Sequence, residues 1–469
     1  MTRRSTIRYV RPVLLAAVLA TAGGCGSAPP AGSDLPEMYT TSVLSSDRTS
    51  ASSTAQSPPT STASSSTAAP GSRTPTVDSG ADPGEVAIEL PPPTGPADTG
   101  TVLLHLRDES RTDPLDPAGG QRELMVQLWY QADLSGSAAD LPLAPYVPTA
   151  EAEALLAFYP IPPGAFTAET NSRIGAPVAA GSHSVVFFHH GLCAARTDST
   201  IVAEQLASLG HVVVALGNTH ESPLVQFPDG RTVATSNPDF CTAGTDPASP
   251  VLQQLLQVRV EDVSFTADAL QQIHDGANPT ADGAPLPAGL DSALELDRMG
   301  IYGHSFGGAT AAAVLAVDGR FVAGIDLDGF IIGPVAQQGL DKPFLVVGSS
   351  YHDPTFDPTW GTFLPTLTGW HRWFQVTDAG HYRFIDLGGS AMKWGLDTTL
   401  KEQDPTTWTQ VFGDIDDATS QQINRDLVAG FFGDFLRDES AAVLEEPAAL
   451  FPNVIDRTAE IVTSPTPTS

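Results

Sequence analysis

The chain has 469 residues, with 54 acidic against 23 basic side chains and a formal net charge of −31. That balance argues against nucleic acid or an anionic membrane surface as an electrostatic partner and favours solubility. The length would hold two or three domains, but low-complexity ends leave a single folded body.

Arg3, Arg4, Arg8 and Arg11 precede a short apolar run, Val13 to Ala22, too short to span a membrane. Residues 1–25 therefore read as an export signal. The signal ends at Ala22-Gly-Gly-Cys25-Gly-Ser, which resembles a bacterial lipoprotein processing box and makes Cys25 the expected site of lipidation. Ala22 stands where such boxes usually carry Leu, so ordinary secretion is the alternative; either places the protein outside the cytoplasm. Residues 26–100 are dominated by Ser, Thr, Pro, Ala and Gly with no apolar periodicity, and are expected to be a disordered tether. About 70 such residues would span roughly 45 to 50 Å. Residues 101–455 form the expected domain, and 456–469 a disordered tail.

Within the domain, Thr101 to Leu106 and Glu123 to Tyr130 read as early strands that open a sheet antiparallel. Glu151 to Tyr159 looks helical, either an insertion over a site or ordinary surface packing. Ser184 to Phe188, His211 to Leu216, Met299 to Tyr302, Val322 to Leu327, Pro343 to Gly348 and Trp373 to Val376 are short β-branched or aromatic runs suited to buried parallel strands. Helices are expected at Asp198 to Leu209, Val251 to His274, Phe306 to Val317 and Ser420 to Arg437. The polar connection Asn218 to Asp246 follows a strand, where long loops line ligand sites in open sheets. The expected class is α/β, a mostly parallel central sheet with helices on both faces. With Cys25 set apart, Cys193 and Cys241 are an even pair in an oxidising compartment, expected as a disulfide; two small buried thiols are the alternative.

Chemistry enters at Asp297-Arg-Met-Gly-Ile-Tyr-Gly-His-Ser-Phe-Gly-Gly-Ala309, where Ser305 stands between Gly303 and Gly307 at the join of a strand and a small-residue helix. That is the pattern of the nucleophile elbow of an α/β-hydrolase fold, whose strained turn exposes a serine oxygen. Such folds supply nucleophile, acid and base in chain order. Asp326 and Asp328 end the next strand on one face, and Asp328, nearer the carboxyl edge, is the expected acid. His381 follows an apolar strand in a glycine-containing loop and is the expected base; His352 and His371 read as surface or supporting groups. The oxyanion donors are expected to be the backbone N–H of Phe306 and, in Phe187-Phe-His-His-Gly-Leu-Cys193, that of Leu192, with Gly191 allowing close approach. His189 and His190 could suggest a metal, but no carboxylate or further histidine stands at ligand spacing around them, and none is assigned.

The Ser305 to Thr310 run Ser-Phe-Gly-Gly-Ala-Thr, the strand ending Gly-Ile-Asp-Leu-Asp328, the His-His-Gly-Leu192 loop and His381-x-x-Phe-x-Asp386 together resemble the platelet-activating factor acetylhydrolase family of the plasma and type II kind, over roughly Glu123 to Asp386. The resemblance implies a calcium-independent serine esterase with Ser305, Asp328 and His381 as its triad and Leu192 and Phe306 as oxyanion donors. It also implies phospholipid substrates with short or oxidised sn-2 acyl chains, with no cofactor and no protein partner. Cys193 and Cys241 depart from the family pattern, so the pocket rim is expected to differ. A broad carboxylesterase or polyester hydrolase, which usually carries Met after the nucleophile, is the nearest alternative. A binding protein with an idle hydrolase fold is the other.

Overall fold

The structure, a computed structural model, describes residues 86–461 apart from 160, 243 and 245. The export signal, Cys25, the tether up to residue 85 and the tail from residue 462 lie outside the described residues.

Two long strands come first, β1 (Thr99–Thr112) and β2 (Gln121–Gln131), followed by a short β3 (Leu143–Pro145), α1 (Thr149–Phe158) and β4 (Glu169–Ile174). The central alternation then runs β5 (His183–His189), α2 (Thr200–Ser208), β6 (His211–Gly217), the hairpin of β7 (Leu224–Gln226) and β8 (Thr232–Ala234), α3 (Pro250–His274) and β9 (Leu294–His304). After it come α4 (Phe306–Val317), β10 (Phe321–Leu327), β11 (Phe344–Gly348), α5 (Pro358–Phe363) and β12 (His371–Val376). The chain closes with α6 (Leu396–Gln403), α7 (Pro405–Val411), α8 (Asp417–Arg437) and β13 (Val454–Asp456).

Eleven strands form one sheet in the order β13-β12-β11-β10-β9-β5-β6-β2-β1-β4-β3, and β7 and β8 pair apart from it. From β12 to β6 every neighbouring pair is parallel, and β2 joins β6 and β1 antiparallel. Strand periodicity explains the two cores. Val185 and Phe187 point to the face covered by α3 and α4, while Val186 and Phe188 point to the face covered by α2 and α8. The same alternation divides Phe344 and Val346 from Leu345 and Val347. A parallel sheet buried on both faces cannot show a polar side, which is why these strands read as unbroken apolar runs. This is the α/β-hydrolase architecture.

The domain extends beyond its expected limits at both ends. The segment placed in the tether is ordered from Val86: Ile88 is buried, its N–H donates to the Ala165 carbonyl at 2.8 Å, and the Val86 carbonyl accepts the Trp394 indole at 2.9 Å. The partners of this Pro-rich strap lie from Ala165 out to Ser390 and beyond, far along the chain, so it carries no local periodicity. At the other end Asp456 belongs to β13, antiparallel to β12, and Thr458 Oγ1 accepts the Trp373 N–H at 3.0 Å. The tail therefore starts later than residue 456.

Helix starts are fixed by side-chain caps: Ser249 accepts from Leu252 N at the head of α3, and Asp416 accepts from Thr419 N at the head of α8. Helix α1 is held through its buried Glu151, paired with Arg196 at 2.8 Å, and its end delivers Phe158 and Tyr159 to the cavity described next.

Candidate active site

The β9 strand ends at His304, and Ser305 adopts φ 56° and ψ −123°, a conformation that costs an L-residue energy and persists only when neighbours enforce it. The glycines around it show the enforcement. A Cβ on Gly303 would lie 2.1 Å from the Gly307 carbonyl, and one on Gly307 would lie 1.9 Å from the His189 oxygen. The turn is thus pressed between its own helix start and the end of β5, and only glycine fits at either flank.

The expected acid follows the β10 strand. Asp328, just past its end, accepts from His381 Nδ1 at 2.6 Å through Oδ2, and from Ser349 N at 2.6 Å and His352 Nδ1 at 3.0 Å through Oδ1. Burial works to raise its pKa, but the two imidazoles outweigh that and hold the carboxyl well below the usual range. Asp326, two residues earlier, makes no such bond: it accepts Gly329 N at 2.9 Å under the elbow, and burial drives its pKa well up. Because His381 Nδ1 is committed to a carboxylate, its Nε2 is the ring nitrogen left free to accept a proton. The ring is flanked by His304, 4.4 Å between centroids, whose Nε2 donates to the His381 carbonyl at 3.0 Å. Burial, then the neighbouring His381, lowers the His304 pKa to about 3.

Ser305, His381 and Leu192 line one cavity of about 70 Å³, with Phe158, Tyr159 and Tyr382 on its walls. Water needs roughly 10 to 15 Å³ by this measure, so the space suits a small acyl group. Cys241 and Gly244 also line it, which is the role expected of the long connection after β6. Cys193 and Cys241 are bonded to each other and fasten that connection beside Leu192. Asp198 faces the same cavity; burial pushes its carboxyl up to about 7.

Several supports escaped the sequence reading. Arg259, wholly buried in α3, pairs with Glu221 and donates to the carbonyls of His190 at 2.7 Å and Gly191 at 2.9 Å. Its guanidinium also lies 4.6 Å from the Phe306 ring, so one cation braces both segments expected to donate to an oxyanion. His189 and His190, weighed above as metal ligands, belong to this brace: His189 Nδ1 faces Arg259 at 3.1 Å, and burial, reinforced by Arg259, holds both rings neutral. Among the described residues no cluster of three or more His, Cys, Asp or Glu could hold a metal ion. His352 is buried against Asp328, a supporting place, whereas His371 lies at the start of β12 with its Nδ1 on the Gly369 carbonyl.

Residues 164–357 match the family model described as platelet-activating factor acetylhydrolase, isoform II. Over that stretch the chain is similar to the platelet-activating factor acetylhydrolase family. The match holds Leu192, Ser305, Phe306 and Asp328 and stops short of His381. A probable 1-alkyl-2-acetylglycerophosphocholine esterase of Arthroderma benhamiae is 24% identical over 58% of this chain and 65% of its own length. The platelet-activating factor acetylhydrolase of Cavia porcellus is 29% identical over 44% of this chain and 49% of its own. The chain thus spans between about half and two thirds of the curated relatives it matches. Among solved structures, a ferulic acid esterase from Streptomyces cinnamoneus superposes with a TM-score of 0.64 at 31% identity, covering 78% of this chain and 98% of that one.

Proposed function

We propose that this chain is a serine esterase acting on short-chain acyl esters, phospholipids with short or oxidised sn-2 acyl groups foremost, with Ser305, Asp328 and His381 as its triad. The observation that carries the reading is the 2.6 Å bond from His381 to Asp328 beside a small cavity that also holds Ser305 and Leu192. In the reaction His381 Nε2 takes the Ser305 hydroxyl proton as Oγ bonds to the ester carbonyl carbon, and the carbonyl electron pair moves onto oxygen. The Leu192 and Phe306 amides receive that oxyanion; losing one such donor typically costs about 10²- to 10³-fold in rate. Collapse expels the alcohol, which takes its proton from His381, and water repeats the cycle on the acyl-serine. Asp328 stays ionised throughout.

The names of the curated relatives supply the phospholipid class, and the likeness to a ferulic acid esterase, with aromatic walls at Phe158, Tyr159 and Tyr382, favours a second reading as a carboxylesterase for aryl esters. The export signal and Cys25 support an extracytoplasmic protein, anchored by lipid or secreted. The test assays the purified protein and Ser305→Ala on p-nitrophenyl esters from acetate to palmitate, on phosphatidylcholine with a short sn-2 chain, and on methyl ferulate. A short-chain optimum with phospholipid turnover is expected. Retained activity in Ser305→Ala defeats the triad, a palmitate optimum favours a lipase, and ferulate preference favours the second reading.

A further inference from the structure

His352 stands in the loop after β11, only 5% exposed, and both of its ring nitrogens meet carboxylates. Nδ1 lies 3.0 Å from Asp328 Oδ1 and Nε2 lies 3.1 Å from Asp357 Oδ2. A neutral imidazole has one N–H and one lone pair, so in this seat it would aim a lone pair at a carboxylate. With both carboxyls ionised, only the doubly protonated ring satisfies both neighbours. The ring also stacks flat on Trp360, 4.0 Å between centroids and 7° from parallel, a face that favours a cation. Nothing in that stack is loose. The Trp360 indole is pinned by the Gly329 carbonyl at 2.7 Å, and Asp357 is fixed by capping α5 through the Thr359 N–H.

We propose that His352 is a permanent imidazolium that positions Asp328 and, by sharing its negative charge, limits how basic His381 becomes. The inference rests on the triad reading. Asp328 sits between two histidines, with one oxygen serving each. Were His352 neutral, the whole carboxylate charge would act on His381, and a base that holds its proton too firmly is idle at neutral pH. The titratable groups facing this pair are Asp326 from β10 and Asp328 just past its end, Asp357 at the head of α5, and His304 beyond His381; burial pushes the Asp326 pKa well up and holds His304 uncharged. Burial alone would lower the His352 pKa, yet Asp328 and Asp357 push it up to about 10.

The proposal is tested in two ways. In the Ser305→Ala protein, NMR of nitrogen-labelled histidine reads the protonation of His352 without any need for turnover. Both ring nitrogens are expected to stay protonated through pH 8, and a neutral ring there overturns the proposal. In the active enzyme His352→Gln removes the charge and keeps hydrogen-bonding capacity. The expected result is a kcat lowered roughly 10- to 100-fold at pH 7 with KM little changed, and an acid limb of kcat/KM moved up by about one unit or more. A lowered kcat with an unmoved acid limb would mean that His352 only fills space. Activity in Ser305→Ala would instead overturn the triad itself, leaving the protonation result standing.

Discussion

Replacing Arg259 by Met removes the cation that braces both expected oxyanion segments while nearly keeping its volume. Glu221, 1% exposed, would keep only the Cys193 N–H at 3.5 Å, the His190 carbonyl would lose the Arg259 donor, and the Gly191 carbonyl would keep only His190 Nδ1 at 2.7 Å. Breaking a buried ion pair from one side costs about 3 to 5 kcal/mol, since it strands the other charge. Urea unfolding followed by circular dichroism should show that loss. Adding Glu221→Gln removes the stranded charge, so the double variant should regain about half of it, a coupling that independent sites would not display. Because the brace holds the loop that carries Leu192, kcat on p-nitrophenyl acetate should fall at least about 10-fold in the single variant, a part of what full loss of a donor costs. A single variant within about 1 kcal/mol of the parent, with unchanged kcat, would refute the reasoning.

Three further outcomes follow from other parts of the structure. The Cys193–Cys241 bond closes residues 48 apart in sequence, so Cys193→Ser with Cys241→Ser should lower unfolding free energy by about 4 kcal/mol on the chain-entropy relation, measured in the absence of reductant. Gly307→Ala would put a methyl 1.9 Å from the His189 oxygen and should cost at least about 3 kcal/mol with loss of turnover, whereas Gly319→Ala, with open space around it, should stay within about 0.5 kcal/mol. Asp198, pushed up to about 7 by burial, binds a proton in the folded protein where the unfolded chain has released it, so its contribution to stability is lost as pH rises from about 4 through 7. Asp198→Asn should therefore raise the melting temperature at pH 8 and leave it nearly unchanged at pH 4; an equal gain at both would contradict that placement.

The three positions proposed as the triad could be picked out because each follows a strand, and strand ends in this fold come in a fixed chain order. Ser305, Asp328 and His381 follow β9, β10 and β12 in turn. The supports beneath them could not be, because each joins segments unrelated in sequence. Arg259 did leave a trace: Leu252, Leu255, Leu256 and Val263 mark the buried stripe of α3, and Arg259 lies on it at helical spacing. A cation on an apolar stripe must find a buried anion, which could have been noticed. His352 could be read only as a surface or supporting group, since Tyr-His-Asp-Pro-Thr-Phe-Asp357 has the composition of an exposed turn, and the packing of Trp360 and Phe356 on its ring is not visible in it. The lead-in from Val86 was unreadable for a similar reason, its order being conferred by residues some 300 positions away.

That strap has a consequence in time. Glu89 bonds to Ser390, and the Pro92 carbonyl accepts from Arg425, contacts separated by 301 and 333 positions. These contacts of the first residues of the domain can form only once almost all the rest exists, and such long closures are entropically slow. Until then Ile88 and the faces of Trp394 and Trp408 it helps to cover stay open to solvent, so the emerging chain is most adhesive just before it is complete.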